Sequence, residues 1–364
     1  MALRALALFW GAVLIVLAGG AIVLQALGPP RGPPAATAAL AEQAQPPRAA
    51  VPALPPQPSA PVASPHAPAA PSPAPSSAAA LGGQPGMAVP AGWDGHVRGP
   101  DPALLEPAPG FPGQKLPRRG PDGLAPMQAY ARPFDQADSR PRIGIVMDGT
   151  GLSDADSRAA VEALPPAVDL ALSAYAEAPG TLADLARQRG HEVLLSLPME
   201  PQGYPMNDEG PHALLTGAAP ADNEHNLEWA LSRFEGYAGV TGASDGMQGE
   251  RFAGMTEPFG VVARELAERG LFYVDARPDA PATPGLAGRS VNLLLDQPPA
   301  RAEIEAQLAK LERLARDKGS ALGLAGPPSP VVVETIVAWA RALEARGVVL
   351  APASALSHAA EASP

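Results

Sequence analysis

Three aspartates, each directly following a short apolar run, are the residues of this sequence best suited to chemistry. They are Asp148, Asp275 and Asp296. A carboxylate in a cleft can act as a general base, bind a cation or accept hydrogen bonds from a substrate. Aspartate is also a preferred residue of turns and helix N-caps, which is the simpler explanation for any one of them. The prediction of a functional site therefore rests on the fact that all three aspartates occupy the same kind of position, directly after a predicted strand.

The elements that must position these residues are short strands alternating with helices. Apolar runs predict seven or eight strands, at residues 143–147, 168–172, 193–197, 239–241, 271–274, 291–295, 321–324 and 348–350. Apolar residues spaced by three and four predict helices at residues 182–189, 223–234, 259–269, 304–317 and 331–346. This alternation predicts an α/β domain with a parallel sheet, either a closed barrel or a doubly wound sheet. The number of strands favours the barrel.

Four of the predicted helices end in a cation followed by glycine. The pairs begin at Arg189, Arg269, Lys318 and Arg346. A cation complements the negative end of the helix dipole, and glycine readily adopts the left-handed conformation of a helix C-cap. Because an apolar run follows each pair, the pattern predicts repeated connections from a helix into a strand.

In such a sheet, ligands bind at the carboxyl ends of the strands. The polar residues predicted to contact a ligand at this level are Tyr175, Glu200, Arg251, Asp275 and Asp296. Met199 and Phe252 are predicted to form the apolar floor of the cleft.

Composition narrows the classes of function. The 364-residue chain contains no cysteine, so disulfides do not stabilise it. Residues 141–364 carry 17 lysines and arginines against 30 aspartates and glutamates, a net charge of −13 that repels nucleic acid. The motifs of serine hydrolases, P-loop nucleotidases and zinc fingers are missing from the sequence. Two carboxylates facing a cleft could hydrolyse a glycosidic bond, but sequence does not give their separation.

The N-terminus predicts a membrane anchor. Residues 5–24 contain no charged or amide side chain, and about 20 such residues span a bilayer. A cleavable signal peptide is the alternative, although its apolar core is usually about 7–15 residues long. Arg4 precedes the span and favours a cytoplasmic N-terminus. We therefore expect a single-pass protein of the inner membrane whose folded domain lies in the periplasm.

The chain is predicted to divide into an anchor at residues 1–28, a disordered linker at 29–140, a folded domain at 141–356 and a disordered tail at 357–364. Most of the 47 prolines precede residue 140, and only Glu42 and Arg48 are charged between residues 33 and 90. Such a segment has too few large apolar side chains to offset the entropy lost on folding. It predicts an extended spacer, with a ligand for a proline-recognition module as the alternative.

Several ordered segments resemble one known family. They read RIGIVMDGTGLS (142–153), GHEVLLSLPMEP (190–201), YPMNDEGPHALLTG (204–217), GLFYVDAR (270–277) and NLLLD (292–296), with LPMEP the most specific. On these segments, residues 141 to about 354 resemble the divergent polysaccharide deacetylases, distant relatives of the NodB-type carbohydrate esterases. The resemblance implies a distorted (β/α) barrel of about seven parallel strands. In active members it also implies a divalent metal, held by Asp and His, that activates a water for attack on an acetyl group.

The family's metal-ligand positions are changed in this sequence. The first strand ends in Asp148-Gly149 where the family has paired acids, and residues 244–252 lack the family's histidine. Gly326-Pro327-Pro328 stands where the family often has Gly-His-Pro. The resemblance therefore assigns no metal ligand here. A substitute site of carboxylates for a hard cation such as Mg²⁺ or Ca²⁺ would use Asp148, Glu200, Asp275 and Asp296.

Three histidines, together with Asp245 and Glu250 of the altered loop, are the other candidates for substitute ligands. His191 precedes a strand, so it is predicted at the opposite end of the barrel in a structural role. His212 lies in a glycine-proline turn and His225 in the first turn of a predicted helix, where both are expected to be solvated.

Two functions follow from the resemblance. We favour a catalytically degenerate domain that needs no cofactor and binds an envelope polysaccharide, a peptidoglycan-related glycan or an envelope protein. The alternative is an active deacetylase of an envelope polysaccharide, with Asp148 as general base and a rearranged divalent-metal site. Metal content and acetate release distinguish the two functions.

Overall fold

The computed structural model describes residues 93–358. The predicted anchor at residues 1–28, the linker as far as residue 92 and the tail beyond residue 358 lie outside the described residues. Among residues 93–358, no helix has both the length and the apolar composition that a membrane span requires.

The strands of the described chain are β1 (Leu105–Pro107), β2 (Lys115–Pro117), β3 (Arg142–Thr150), β4 (Asp169–Ser173), β5 (Val193–Ser196), β6 (Gly239–Thr241), β7 (Phe272–Asp275), β8 (Gly288–Ser290), β9 (Leu293–Leu294), β10 (Ser320–Ala325) and β11 (Val349–Leu350). β1 and β2 form an antiparallel pair. The others form a nine-stranded sheet in the order β8-β7-β6-β5-β4-β3-β10-β9, with β11 paired to the start of β3. Its neighbouring strands are parallel.

The helices are α1 (Pro126–Ala129), α2 (Asp154–Ala163), α3 (Pro179–Gln188), α4 (Pro220–Leu231), α5 (Glu250–Ala253), α6 (Thr256–Arg269), α7 (Arg301–Lys318), α8 (Pro330–Ala340) and α9 (Ala353–Leu356). They confirm the α/β class and all five predicted helices. The prediction missed α2, whose buried face consists of Ser157, Ala160 and Val161 and therefore gives a weak apolar pattern.

The sheet is curled, and its two ends are neighbours in sequence. β8 pairs with β7 and β9 pairs with β10, with only Val291 and Asn292 between them. The Val291 amide donates to Asp275 O at 2.9 Å, and the Asn292 amide donates to Leu322 O at 2.7 Å. Residues 288–294 therefore supply the strands at both ends of the sheet, with β8 bonded to β7 and β9 bonded to β10.

Alternate residues of each strand face opposite sides of the sheet, which divides the core in two. Ile143, Ile145 and Met147 of β3 pack in the larger cluster, beneath the helices. Val146 of the same strand packs in a second cluster with Phe272, on the other face. Because both faces are buried, the strands read in sequence as continuous apolar runs.

Two of the predicted helix ends, at Arg269-Gly270 and Lys318-Gly319, agree with the structure, whereas α8 ends at Ala340 and not at the predicted Arg346. Gly270 and Gly319, which cap α6 and α7, have φ angles of 75° and 84°. An L side chain is strained in this left-handed region, so glycine is the residue that lets each helix turn into the next strand.

The domain is larger than predicted at both ends. The prediction of disorder is wrong for residues 93–140, where Leu104, Leu116 and Tyr130 are buried against the domain. Proline-rich composition hid this segment because its order comes from tertiary contacts rather than from local periodicity. At the other end, His358 exchanges two backbone hydrogen bonds of 3.1 Å with Gly288, so residues 357 and 358 belong to the domain and not to a tail.

Candidate functional site

Asp148 lies in an irregular stretch of β3, where the pairing with β4 shifts register between Met147 and Thr150. Its side chain is 1% exposed. Oδ1 accepts hydrogen bonds from the Gly149 amide at 2.5 Å and the Ser196 hydroxyl at 3.3 Å. Oδ2 accepts one from the Gly246 amide at 3.0 Å. The carboxyl group is thus held by β3, β5 and the loop after β6.

Burial raises the pKa of Asp148 to about 7, against the lowering effect of these three hydrogen bonds. The nearby charge of Asp245 raises the pKa further. A carboxyl group with a pKa near 7 exists in both protonation states at neutral pH, which suits either proton transfer or pH-dependent binding.

Glu209, which the sequence analysis missed, lies on the loop between β5 and α4, close enough to Asp148 for their charges to interact. We refer to the surroundings of these two carboxyl groups as the pocket. Glu209 is 5% exposed and is hydrogen-bonded to the Ser244 side chain. Burial raises its pKa to about 8, and the charges of Asp148, Asp245 and Glu250 add to the rise. Its Oε1 atom is buried without a hydrogen-bond partner.

A local turn directs Glu209 inward. The Asp208 carboxylate accepts a hydrogen bond from the Gly210 amide at 2.9 Å, which closes a turn around Glu209. Gly210 has a φ of 93°, and a Cβ atom there would lie 3.0 Å from the Tyr175 ring. The only sequence signal is a pair of acids beside a glycine, which has no periodicity and is typical of any solvated loop.

The loop after β6 forms the outer part of the pocket. Residues 244–247 make a tight turn in which the Ser244 and Met247 amides each donate to the other's carbonyl oxygen at 2.9 Å. Asp245 and Gly246, at the centre of the turn, have φ angles of 48° and 77°. Asp-Gly is a favoured pair for such a turn because both residues tolerate a positive φ. Asp245 is exposed at this position.

Glu200 is satisfied by partners within the protein. It is 2% exposed, and its Oε1 forms a 3.0 Å ion pair with Nη1 of Arg251, whose side chain is half exposed. Its Oε2 accepts hydrogen bonds from the Thr216 amide at 2.5 Å and the Thr216 hydroxyl at 2.7 Å. Of this group, Arg251 is the residue that a ligand could reach.

The other two strand-end aspartates are also engaged. Asp275 ends β7 and binds the Arg277 guanidinium in a bidentate pair, at 2.9 Å from Nε and 2.6 Å from Nη2. Asp296 accepts a hydrogen bond from the Gly326 amide at 2.9 Å, and burial raises its pKa. Gly326 also packs against Asp148, since a Cβ there would lie 2.4 Å from the Asp148 carbonyl oxygen.

Tyr175 lies in an aromatic cluster beside the pocket. Its hydroxyl accepts a hydrogen bond from the His212 amide at 2.9 Å. His212 stacks on Trp229 at a centroid distance of 3.9 Å, and Arg233 lies over the Trp229 ring at 5.2 Å. Burial raises the pKa of Tyr175 to about 12, with the charges of Glu209 and Asp208 contributing. The cluster packs the Glu209 loop against the domain.

The described residues do not fit the divalent metal that the resemblance implies. Within residues 93–358, no group of three or more histidine or acidic side chains is placed to hold a metal ion. His191 is buried with its ring nitrogens 2.8 Å from Val168 O and 3.0 Å from Val161 O, before β5 and away from the pocket. His225 stacks on Phe111 on the outside of the domain.

Asp148 thus has Glu209, Ser196, Ser244 and Asp245 around it, whereas four of the five predicted contacts belong to separate arrangements. Glu200 pairs with Arg251, Asp275 pairs with Arg277, and Tyr175 supports a loop. Met199 and Phe252, predicted as the floor of the cleft, are fully buried core residues.

Comparisons with known proteins give one family match and two structural alignments. A family model described as divergent polysaccharide deacetylase matches residues 145–357. The crystal structure of an uncharacterized protein from Agrobacterium tumefaciens is similar, with a TM-score of 0.62 and 33% identity, over 67% of this chain and 99% of that one. The catalytic domain of a peptidoglycan N-acetylglucosamine deacetylase from Eubacterium rectale aligns with a TM-score of 0.38 and 12% identity, over 62% of this chain and 93% of that one. No curated protein matches the chain.

Proposed function

The chain belongs to the divergent polysaccharide deacetylase family, and we propose that its domain binds a cell-envelope glycan without deacetylating it. The observation that carries this proposal is that acids at the strand ends are paired with arginines of the protein itself. Glu200 and Asp275 form ion pairs with Arg251 and Arg277, and no set of metal ligands is placed among residues 93–358. These acids stabilise the domain instead of converging on a reacting group.

The ligand in this proposal is a polysaccharide because the family is one of polysaccharide deacetylases. The half-exposed Arg251 guanidinium and the exposed Asp245 carboxylate offer hydrogen bonds to sugar hydroxyl groups at the rim of the pocket. We also propose that the curled sheet is a distorted seven-stranded barrel. The continuity of β8 and β9, which count as one strand bonded to both β7 and β10, supports this description.

The cellular location that we propose rests on the sequence alone. We propose that residues 1–28 anchor the protein in the inner membrane and that residues 29–92 connect the anchor to a periplasmic domain. Support comes from the uncharged apolar run at residues 5–24 and from Arg4 before it.

One observation favours the second candidate function, an active deacetylase. The pKa of Asp148 is raised to about 7, which is suitable for a general base. In that case the acetyl group would approach Asp148, and the reaction would need a metal site that the described side chains do not provide.

Calorimetric titration of the full-length chain with soluble glycan fragments tests the proposal, together with acetate release and metal content measured on the same preparation. We expect saturable binding without acetate release. Arg251→Ala should weaken binding about fivefold, because a charge-assisted hydrogen bond contributes on the order of 1 kcal/mol at a half-exposed site. Arg118→Ala, at an exposed position of the N-terminal segment, is the matched control.

Stoichiometric metal, together with acetate release that Asp148→Ala abolishes, would establish the active enzyme instead. Absence of binding to every glycan fragment would overturn both functions.

A further inference from the structure

We propose that the pocket around Asp148 recognises an amino sugar whose amino group is free, through the positively charged ammonium group of that sugar. The inference rests on the proposed function and specifies its ligand. The glycan that it names is the product of deacetylation rather than the acetylated substrate.

The first observation is a cluster of three acids for which the protein supplies no cation. Asp148, Asp245 and Glu209 lie close enough for the charges of Asp148 and Asp245 to act on Glu209, and within residues 93–358 no lysine or arginine forms an ion pair with any of the three. Two of the strand-end acids, Glu200 and Asp275, each have an arginine partner instead. Without a cation the pKa values of Asp148 and Glu209 are raised to about 7 and about 8, so an ammonium group would stabilise the charged forms of both carboxyl groups.

The second observation is the buried Oε1 atom of Glu209, which accepts no hydrogen bond. A buried polar atom without a partner is rare in folded proteins and calls for an explanation such as an absent ligand. The other contact of this carboxyl group is the Ser244 hydroxyl, and the charges of Asp148 and Asp245 act on it. The unpartnered oxygen thus belongs to a carboxyl group that faces the acidic pocket.

An ammonium group matches this arrangement better than an N-acetyl group does. It carries three N–H donors and a positive charge, so it can bridge two carboxylates. An N-acetyl group is neutral and has one N–H donor, so it cannot stabilise the charged forms of both carboxyl groups. The preference therefore follows from both charge and donor count.

In this proposal the sugar approaches at the turn of residues 244–247. Asp245 is exposed at the tip of its turn, while Asp148 and Glu209 lie beneath it. The side-chain amides of Gln248 and Gln297 donate to Gly246 O at 2.8 Å and 3.2 Å, which fixes the turn. Their carbonyl oxygens remain as acceptors for the hydroxyl groups of a sugar bound at Asp245.

The test compares two hexasaccharides, one of N-acetylglucosamine and one of glucosamine, in calorimetric titrations of the full-length chain. We expect the glucosamine hexamer to bind at least about tenfold more tightly, the effect of about 1.4 kcal/mol of charge-assisted bonding. Glu209→Gln and Asp245→Asn should each remove most of this preference. Asn tolerates the left-handed backbone of position 245, so the second variant retains the turn.

Two controls separate recognition from general attraction between opposite charges. Asp317→Asn removes one charge from the exposed end of α7, just before β10 begins and so at the far edge of the sheet, and should leave the preference intact. Hexalysine should compete poorly, since it carries the charge without the sugar.

Equal affinity for the two hexamers would overturn the inference while leaving glycan binding in place. Loss of binding to both would overturn the proposed function itself. A preference for glucosamine that survives both pocket variants, or that hexalysine abolishes, would show that the net charge of the domain causes it and would remove the assignment to this pocket.

Discussion

At the scale of single residues, the burial of Glu209 makes the free energy of unfolding depend on pH. Glu209 has a pKa of about 8 in the folded protein, raised by burial from an ordinary value of 4.5. Between these values the folded state holds a proton that the unfolded state has lost. Stability from this group is therefore fully present below about pH 4.5 and is lost as pH rises toward 8, by roughly 1.4 kcal/mol per pH unit.

Glu209→Gln should remove this dependence. The amide has no charge to bury and retains an oxygen for the Ser244 hydroxyl. We expect the free energy of unfolding of the variant, relative to the natural protein, to increase between about pH 4.5 and pH 8 and then to stay constant. Urea denaturation across this pH range measures the difference. Glu257→Gln, an exposed position on α6, is the control; parallel pH profiles for the natural protein and Glu209→Gln would contradict the prediction.

Part of this site could be predicted from the sequence, and part of it could not. Asp148 follows a long apolar run, and buried parallel strands are visible as such runs in the sequence. Glu209 lies in a loop without periodicity, and its burial depends on the Tyr175 ring against Gly210 and on the turn at Asp208. The ion pairs of the site could not be predicted either, because nothing in the sequence indicates that Arg277 pairs with Asp275.

At the scale of elements, the N-terminal segment is part of the domain. Arg132 is 5% exposed, lies 4.7 Å from the centre of the Trp93 ring, and donates from its guanidinium to Gly190 O and from its backbone amide to Glu192 at 2.9 Å. Burial lowers its pKa to about 10, against the raising effect of Asp169 and Glu192. Glu192 in turn accepts hydrogen bonds from Ser354 of α9. One cation thus joins the segment before β3, the start of β5 and the last helix.

Arg132→Met should destabilise the domain by about 3–5 kcal/mol, because it leaves the buried acids Asp169 and Glu192 without a cation. Urea unfolding at pH 7 measures this loss. Arg118→Met at an exposed position should change stability by less than about 0.5 kcal/mol. Adding Glu192→Gln to Arg132→Met should recover part of the stability; no recovery would assign the loss to packing rather than to charge.

The same elements predict the effect of truncation. A chain that starts at residue 141, the predicted domain boundary, lacks Leu104, Leu116 and Tyr130, each at most 2% exposed in the structure. Full burial of such side chains contributes about 1.5–3 kcal/mol each. We expect a chain starting at residue 93 to unfold cooperatively and the shorter one to be destabilised or insoluble. Equal melting temperatures of the two chains would show that the segment adds nothing to stability.

Sequence periodicity was sufficient for every strand of the nine-stranded sheet except β8 and for five of the nine helices of residues 93–358, since these are amphipathic or fully buried. It failed where order depends on partners distant in sequence. β1 and β2 are three residues each and are stabilised by packing on α4 and by the ion pair of Arg269 with Glu106. No local rule distinguishes such a segment from a proline-rich linker.

At the scale of the whole molecule, the proposed anchor and the acidic domain differ in charge and are therefore expected to interact with different surroundings. Residues 141–364 carry a net charge of −13, whereas the preceding residues are slightly positive. An acidic domain is repelled by the anionic surface of a membrane and attracted to a cationic polymer. A deacetylated glycan is such a polymer, so the charge of the domain favours the same ligand that the pocket does.

The anchor itself can be tested by removing it. We expect the full-length chain to sediment with membranes and to resist extraction by alkaline carbonate, because about 20 apolar residues bury enough surface to hold a helix in the bilayer. A chain lacking residues 1–28 should appear in the soluble fraction with the same thermal unfolding profile. Intact mass distinguishes the competing interpretation: loss of the first residues during export would identify a signal peptide, and the domain would then reach its glycan by diffusion instead of through a tether.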